Sequence, residues 1–478
     1  MFLRTIITIG ALGLSLVSTG YARTSATIFG TQNLTAEINQ AVSTVNPNAT
    51  VGITIKSMKY GDTVYSRNEK NLFIPASTLK IYTAEAALLY LGPEYKFGTR
   101  FVTDANSQVD GKLRGNLYLV NSGDPTFTYY DLADMMESLR AQNIQEIDGN
   151  VYIDNTAYDQ VTTAPGWVGK DKQSCYGAPI SASIINHNCF SFRVKATDDN
   201  NRLSTLLNNT HYYQVALDNA GDSKTCYIKL NKSSKSVLSI SGCISNGHNT
   251  LGSSVITNVM QYDKLLLQDL FKRAGIRVHG DFAPGIATPG LPELAKHESR
   301  PLKKMVTQML KMSDNIIAGS LFKKIGELFT HRPGTWESGG NAVGQILSKN
   351  ANLDLWRISL IDGSGVSRYN QVTPNQMMQL LDFAFHNEAT NREFISALPV
   401  AGIDGTLKHR MRNIAWRVRA KTGTMGDTGV VSLAGYAISA DKEPFAIVII
   451  INGRHGSVWQ YREFEDKIMN YLTHYTRG

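Results

Sequence analysis

Apolar residues recur at helical spacing in several stretches of the chain and alternate with polar ones in others. Ile38, Val42 and Val45 form one stripe of a helix over 34–47 that ends at Pro47. Strands are expected over 50–56 and 63–66, around a Lys59-Tyr60-Gly61-Asp62 turn. An alanine- and leucine-rich helix follows over 81–91. From about 97 the texture changes to short strands and polar turns. Two units read alike there, Gly115-Asn116-Leu117-Tyr118-Leu119-Val120-Asn121 and Gly149-Asn150-Val151-Tyr152-Ile153-Asp154-Asn155, with a helix over 130–142 between them. They are either a small duplication or simply two similar strands. Residues 160–253 are rich in Asn and Ser with alternating runs at 212–217 and 236–240, and read as a separate β-rich unit. A helix over 260–274 and a strand over 275–280 come next, and Pro284, Pro289 and Pro292 mark a boundary loop. Helical periodicity returns over 301–311 and 315–328, followed by strands over 416–421, 429–438 and 445–452. The last helix, over 457–475, carries Phe464, Ile468, Tyr471 and Tyr475 on one face and is expected to dock on that sheet. The class is α+β.

At 478 residues the chain exceeds one ordinary domain, and with 42% hydrophobic and 18% charged residues it can bury a large core. The N-terminus is patterned as a secretory leader: Arg4, an uncharged apolar run from Ile6 to Val17, and small residues around Gly20-Tyr21-Ala22. Cleavage after Ala22 is expected, the alternative being a retained anchor. Four cysteines, Cys175, Cys189, Cys226 and Cys243, all lie in the 160–253 stretch. Their spacing matches no zinc motif, so two disulfides in an oxidising compartment are expected. Three pairings are open, and neighbour pairing closes the shortest loops. The net charge of +8 is scattered, with no run of Lys or Arg that tracks phosphates, so nucleic acid is not an expected partner. A basic exported protein is drawn toward anionic envelope polymers.

Candidate chemistry begins at Pro75-Ala76-Ser77-Thr78-Leu79-Lys80, at the start of the 81–91 helix. Positions i and i+3 share a helix face, so Ser77 and Lys80 place a hydroxyl beside an amine. Taken singly, this is also how many structural helices begin. Ser313-Asp314-Asn315 stands at another helix entrance, where all three residue types are ordinary caps. Lys421-Thr422-Gly423-Thr424 closes a strand and enters a turn at Met425-Gly426-Asp427. Together the three reproduce, in order, the Ser-x-x-Lys, Ser-x-Asn and Lys-Thr-Gly set of penicillin-interacting serine enzymes.

The chain resembles the class C low-molecular-mass penicillin-binding proteins, the D-alanyl-D-alanine carboxypeptidase/endopeptidase family of penicillin-binding protein 4 type, over nearly its whole mature length. Besides the motifs, the separation of 233 positions from Lys80 to Ser313 matches the family's large insertion. Ser122-Gly123-Asp124-Pro125-Thr126, Asp362-Gly363-Ser364-Gly365-Val366-Ser367-Arg368, and Gly405-Thr406-Leu407 with Arg410 match as well. The resemblance implies a penicillin-recognising serine transferase (β-lactamase-like) catalytic domain, an antiparallel sheet flanked by helices, over 23–96 and 297–478. It implies an inserted α/β domain over 97–159 and 254–296, and nested in it a disulfide-containing β-rich domain over 160–253. It also implies an exported, periplasmic serine DD-peptidase acting on peptidoglycan peptides, acylated by β-lactams and needing no metal or organic cofactor. Ser77 would be the nucleophile and Lys80 the general base, with Ser313, Asn315 and Lys421 as partners. Thr422, Gly423, Thr424 and Met425 would line the substrate strand, with the backbone N–H groups of Ser77 and Thr424 as oxyanion hole. Asp171, Tyr176 and Arg368 would receive a diaminopimelate side chain, Asp171 taking its ammonium and Arg368 its carboxylate; Asp171 as an ordinary loop carboxylate is the competing reading. A β-lactamase and a non-catalytic peptidoglycan-binding protein are the alternatives. No motif-placed glutamate activates a deacylation water for the first, and the intact Ser77, Lys80, Ser313, Asn315 and Lys421 argue against the second.

Overall fold

A computed structural model describes residues 31–197, 202–207, 214–218, 228–232, 237–242, 249–453 and 457–477. The leader read over 1–22 and the expected Cys226–Cys243 bridge lie outside the described residues; Cys175 and Cys189 are disulfide-bonded.

One antiparallel sheet is assembled from both ends of the chain. Its strands are β1 (Ala49–Ser57), β2 (Thr63–Arg67), β3 (Val418–Met425), β4 (Val430–Ile438) and β5 (Pro444–Gly453), in the order β3-β4-β5-β1-β2. β4 and β5 are nearly continuous apolar runs because both faces of the sheet are covered. On one face lie α1 (Thr31–Ser43) and the C-terminal helix (Val458–His474), which meet the sheet through Leu34, Ile38, Ile449, Phe464 and Ile468. Docking of the last helix is thus as its apolar stripe predicts. On the other face lies α2 (Lys80–Leu91), joined by α3 (Leu302–Met312), α4 (Asn315–Thr330) and the helix Pro374–His386. α2 is buried from Lys80 to Leu88, which explains why its sequence has no polar face.

β3 runs four residues past its expected end at 421, because its ladder with β4 continues to the Met425–Val430 pair. Lys-Thr-Gly therefore sits inside an edge strand and not in the turn. The N–H of Ala420 points to the open edge, where it donates to Pro399 O at 2.9 Å. With a period of two, the N–H groups of Thr422 and Thr424 point to the same edge.

Between α2 and α3 the chain builds a second five-stranded sheet, in the order Phe282–Pro284, Val151–Asp154, Leu117–Val120, Gly98–Thr103, Glu293–Glu298. The two similar sequence units lie side by side in parallel, Leu117 opposite Val151 and Tyr118 opposite Tyr152, whose rings stack at 5.1 Å. Asn150 N donates to Asn116 Oδ1 and Asp281 N to Asn150 Oδ1, both at 2.8 Å, so the corner is used a third time at Gly280-Asp281. The Glu293–Glu298 strand is invisible in the sequence because it is an edge strand with four charged or ionisable residues, and of its six residues Ala295 is the buried one.

Candidate active site

Ser77 lies in a single 3-10 turn, Ala76–Leu79, that runs directly into α2. In a 3-10 turn residues i and i+3 nearly eclipse, which sets the Lys80 amine 3.0 Å from Ser77 Oγ. The preceding Ala76 has φ +47°, the left-handed region that a residue with a side chain rarely adopts. Its neighbours hold it there. Thr78 Oγ1 and Ser432 Oγ both donate to Pro75 O, at 2.7 and 2.6 Å. Gly365 packs so closely that a Cβ on it would lie 1.9 Å from Ala76 O.

Lys80 is fully buried, and its amine lies 2.6 Å from Asn315 Oδ1 and 2.7 Å from Ser364 O in addition to Ser77. Both oxygens are acceptors only. A neutral amine has two N–H groups for them and one lone pair, which then faces the Ser77 hydroxyl. Burial supplies the neutrality: it lowers Lys80 from its ordinary value near 10.5 to about 7, against the opposing pull of Asp362 and Asp314. Lys421, also fully buried, is pushed well below its usual value first by burial and then by Lys80.

Ser313 ends α3 in a left-handed conformation (φ 58°, ψ 37°) and accepts from Lys421 Nζ at 3.0 Å. Asp314 caps α4 by accepting from the N–H groups of Ile316 and Ile317, so the capping reading of this triplet holds for its middle residue. Asn315 starts α4 and donates from Nδ2 to Tyr176 O at 2.9 Å. That bond joins α4 to the segment around Tyr176.

Gly423 faces the turn that carries Ser77. A Cβ there would lie 2.2 Å from Ser432 Oγ and 2.9 Å from both Pro75 O and Ser77 N. The glycine is thus required for β3 to pass beneath Ser77. Met425 packs under the same turn with Ala76 and Val430 and is buried, so its side chain supports the strand. Thr422 Oγ1 donates to Thr406 Oγ1 at 2.7 Å, and Thr424 Oγ1 accepts from Arg462 Nη2 at 3.0 Å. Arg462, on the C-terminal helix, belongs to no motif and was missed; nothing in a linear pattern brings it to β3.

Asp362 ties down the loop that carries Ser364 and Arg368. Its two carboxylate oxygens accept from the N–H groups of Ser364, Gly365 and Ser367, the Ser364 hydroxyl, Asn370 Nδ2 and Trp167 Nε1. Arg368 does not stand free. It donates to Asp171, and through Nη2 to Asp427 Oδ2 at 2.8 Å. Asp171 also accepts from Tyr176 Oη at 2.6 Å and Val168 N at 3.0 Å, with a side chain 3% exposed. The three residues expected to meet a ligand are therefore brought together, but here they satisfy one another. Among the described residues no group of His, Cys, Asp and Glu is arranged to hold a metal ion, and no helix is long and apolar enough to cross a membrane.

Comparison with known proteins gives a match to the model of the D-Ala-D-Ala carboxypeptidase 3 (S13) family over residues 34–475. The chain is 28% identical over 457 residues to the D-alanyl-D-alanine carboxypeptidase DacB of Haemophilus influenzae, covering 93% of this chain and 92% of the relative. The crystal structure of penicillin binding protein 4 from that organism superimposes with a TM-score of 0.81 at 28% identity, covering 91% of this chain and 99% of the other. The same protein complexed with a β-lactam superimposes with a TM-score of 0.78 at 26% identity, with the same coverage. The fold is thus the α+β, β-lactamase-like one with its large insertion.

Proposed function

Because the chain belongs to the D-Ala-D-Ala carboxypeptidase 3 (S13) family and is a serine-type carboxypeptidase, we propose that it is an exported DD-peptidase working on peptidoglycan stem peptides or cross-bridges through a Ser77 acyl-enzyme. The observation that carries this reading is the Lys80 amine, buried, lowered to about 7, and supplied with two acceptors besides Ser77 Oγ.

Lys80 takes the Ser77 proton as Oγ attacks the carbonyl of the penultimate D-alanine. The N–H groups of Ser77 and Thr424 receive the oxyanion. When the C–N bond breaks, Ser313 passes a proton to the departing amine and is reprotonated from the lysine pair, 3.0 Å away at Lys421. The terminal carboxylate of the substrate sits against Lys421 and the Thr422 and Thr424 hydroxyls, and that anion restores the charge that burial removes from Lys421. Arg462, by donating to Thr424 Oγ1, leaves the Thr424 hydroxyl proton for the substrate. Water then hydrolyses the ester. Asp171, Tyr176 and Arg368 form the subsite for the stem-peptide side chain, opened from the mutually paired state described above. A β-lactam, whose strained amide imitates the acyl-D-Ala-D-Ala bond, acylates the same serine. Its relative's complex with a β-lactam supports this step.

The test is mass spectrometry of the protein with benzylpenicillin and muropeptide analysis after incubation with sacculi. A single persistent adduct on the peptide carrying Ser77, together with released D-alanine or split cross-bridges, is expected. A folded protein that takes up no penicillin and releases nothing defeats the proposal, and rapid penicillin turnover favours a β-lactamase. The rate of acylation is expected to rise about tenfold per pH unit below pH 7 and to level off above about pH 8, because the reactive form is the unprotonated Lys80. A rate flat from pH 5.5 to 8.5 removes Lys80 from the role of base.

A further inference from the structure

Three elements meet at the flank of the cleft: the 165–176 segment with Lys170, the loop ending at Arg368, and the turn after β3 with Asp427. Asp427 Oδ2 lies 2.8 Å from Arg368 Nη2 and 3.3 Å from Lys170 Nζ. Burial alone would raise the Asp427 carboxyl, but these two cations outweigh it and hold it below the usual range. Arg368 uses Nη1 on Asp171 and on Val366 O, whereas its Nε is buried without a partner. Nε and Nη2 form one edge of the guanidinium fork, the edge that a carboxylate takes with both oxygens. Asp427 takes half of it.

We propose that Asp427 is an internal occupant of Arg368 that a substrate side-chain carboxylate displaces, and that this competition lowers the affinity for stem peptides whose third residue carries such a carboxylate. The inference rests on the peptide subsite proposed above. Asp427 is the member able to move. Its side chain is 27% exposed on a turn, while Asp171 is 3% exposed and fixed by Val168 N–H and the Tyr176 hydroxyl. Lys170, 57% exposed, keeps Asp427 company once Arg368 is taken. The exchange conserves charge: Lys170, Arg368, Asp171 and Asp427 sum to zero, and a zwitterionic side chain adds zero. Its carboxylate bridges Nε and Nη2, and its ammonium faces Asp171. A side chain with an ammonium alone, or with its carboxyl amidated, has nothing to offer Arg368 in return and does not compete with Asp427 for it.

The experiment compares kcat/KM for two synthetic pentapeptides that differ in whether the diaminopimelate side-chain carboxyl is free or amidated. In Asp427→Ala the free-to-amidated ratio is expected to rise about three- to tenfold over wild type, chiefly through a lower KM for the free acid, with Asp427→Asn intermediate. In Lys170→Ala, which leaves Asp427 more firmly on Arg368, the ratio is expected to fall. Circular dichroism and melting temperature establish that each variant is folded. A ratio unchanged or lowered in both folded Asp427 variants overturns the inference while leaving a peptidase that cleaves both peptides. A wild type that cleaves neither peptide and takes up no penicillin overturns the underlying function as well.

Discussion

Ser77→Ala is expected to abolish D-alanine release and penicillin labelling, and Lys80→Met to slow both by about 10^4-fold. The two residues act as a unit, since Ser77 Oγ has no other base within hydrogen-bond reach among the described contacts of Lys80, Asn315 and Ser364. Removing both is therefore expected to cost little more than removing Ser77 alone. Lys80→Met keeps an unbranched side chain in the same channel, so the core around α2 stays filled. Its stability reports on burial and not on catalysis: the variant loses hydrogen bonds to Asn315 Oδ1 and Ser364 O, each worth about 1 kcal/mol, but no longer has to keep an amine out of water. A melting temperature near that of wild type, with activity gone, separates the chemical role from a structural one. Retention of more than about 1% of the acylation rate in folded Lys80→Met would transfer the base to another group.

Gly365→Ala carries the second large effect, although Gly365 touches no substrate. Its φ of +83° already disfavours any side chain, and the added Cβ would lie 1.9 Å from Ala76 O and 3.1 Å from Ser77 N. Something must shift, and the turn it presses on holds Ala76 in its left-handed conformation. Acylation is expected to fall by about 100-fold, because a displacement near 1 Å at the nucleophile has that consequence. Stability is expected to fall by about 2–4 kcal/mol from the combined backbone and overpacking strain. Denaturant unfolding and the second-order rate of penicillin acylation measure the two effects. Wild-type values for both would mean that the 362–368 loop does not position Ser77.

Much of the centre is legible in the sequence. The i, i+3 pair at Ser77 and Lys80, the cap at Asp314 and the strand character around Lys421 are local, and local periodicity reports them faithfully. The apolar runs of β4 and β5 and the stripe of the last helix were readable for the same reason. What escaped was whatever depends on a partner remote in the chain. The Glu293–Glu298 strand has no apolar alternation because it is an edge that pairs with Gly98–Thr103. β3 is longer than its sequence suggests because β4 continues to pair with it. Met425 reads as a residue of the substrate strand, yet its neighbours are Ala76 and Val430.

By itself the sequence determined the candidate groups and their order: a serine beside a lysine, a Ser-x-Asn turn, a Lys-Thr-Gly strand, and a long insertion between the first two. These are properties of residue type and spacing, carried by segments of a few residues each. Tertiary structure decided the state of those groups and which of them touch. It buries Lys80 so that desolvation lowers its pKa, gives its amine two acceptors from 235 and 284 positions away, and brings Arg462 to Thr424. It also closes Arg368 on Asp171 and Asp427, contacts that span 197 and 59 positions. Burial and long-range pairing are properties of the packed whole, since the dielectric around a group and the identity of its partner are set by segments that no local pattern encodes.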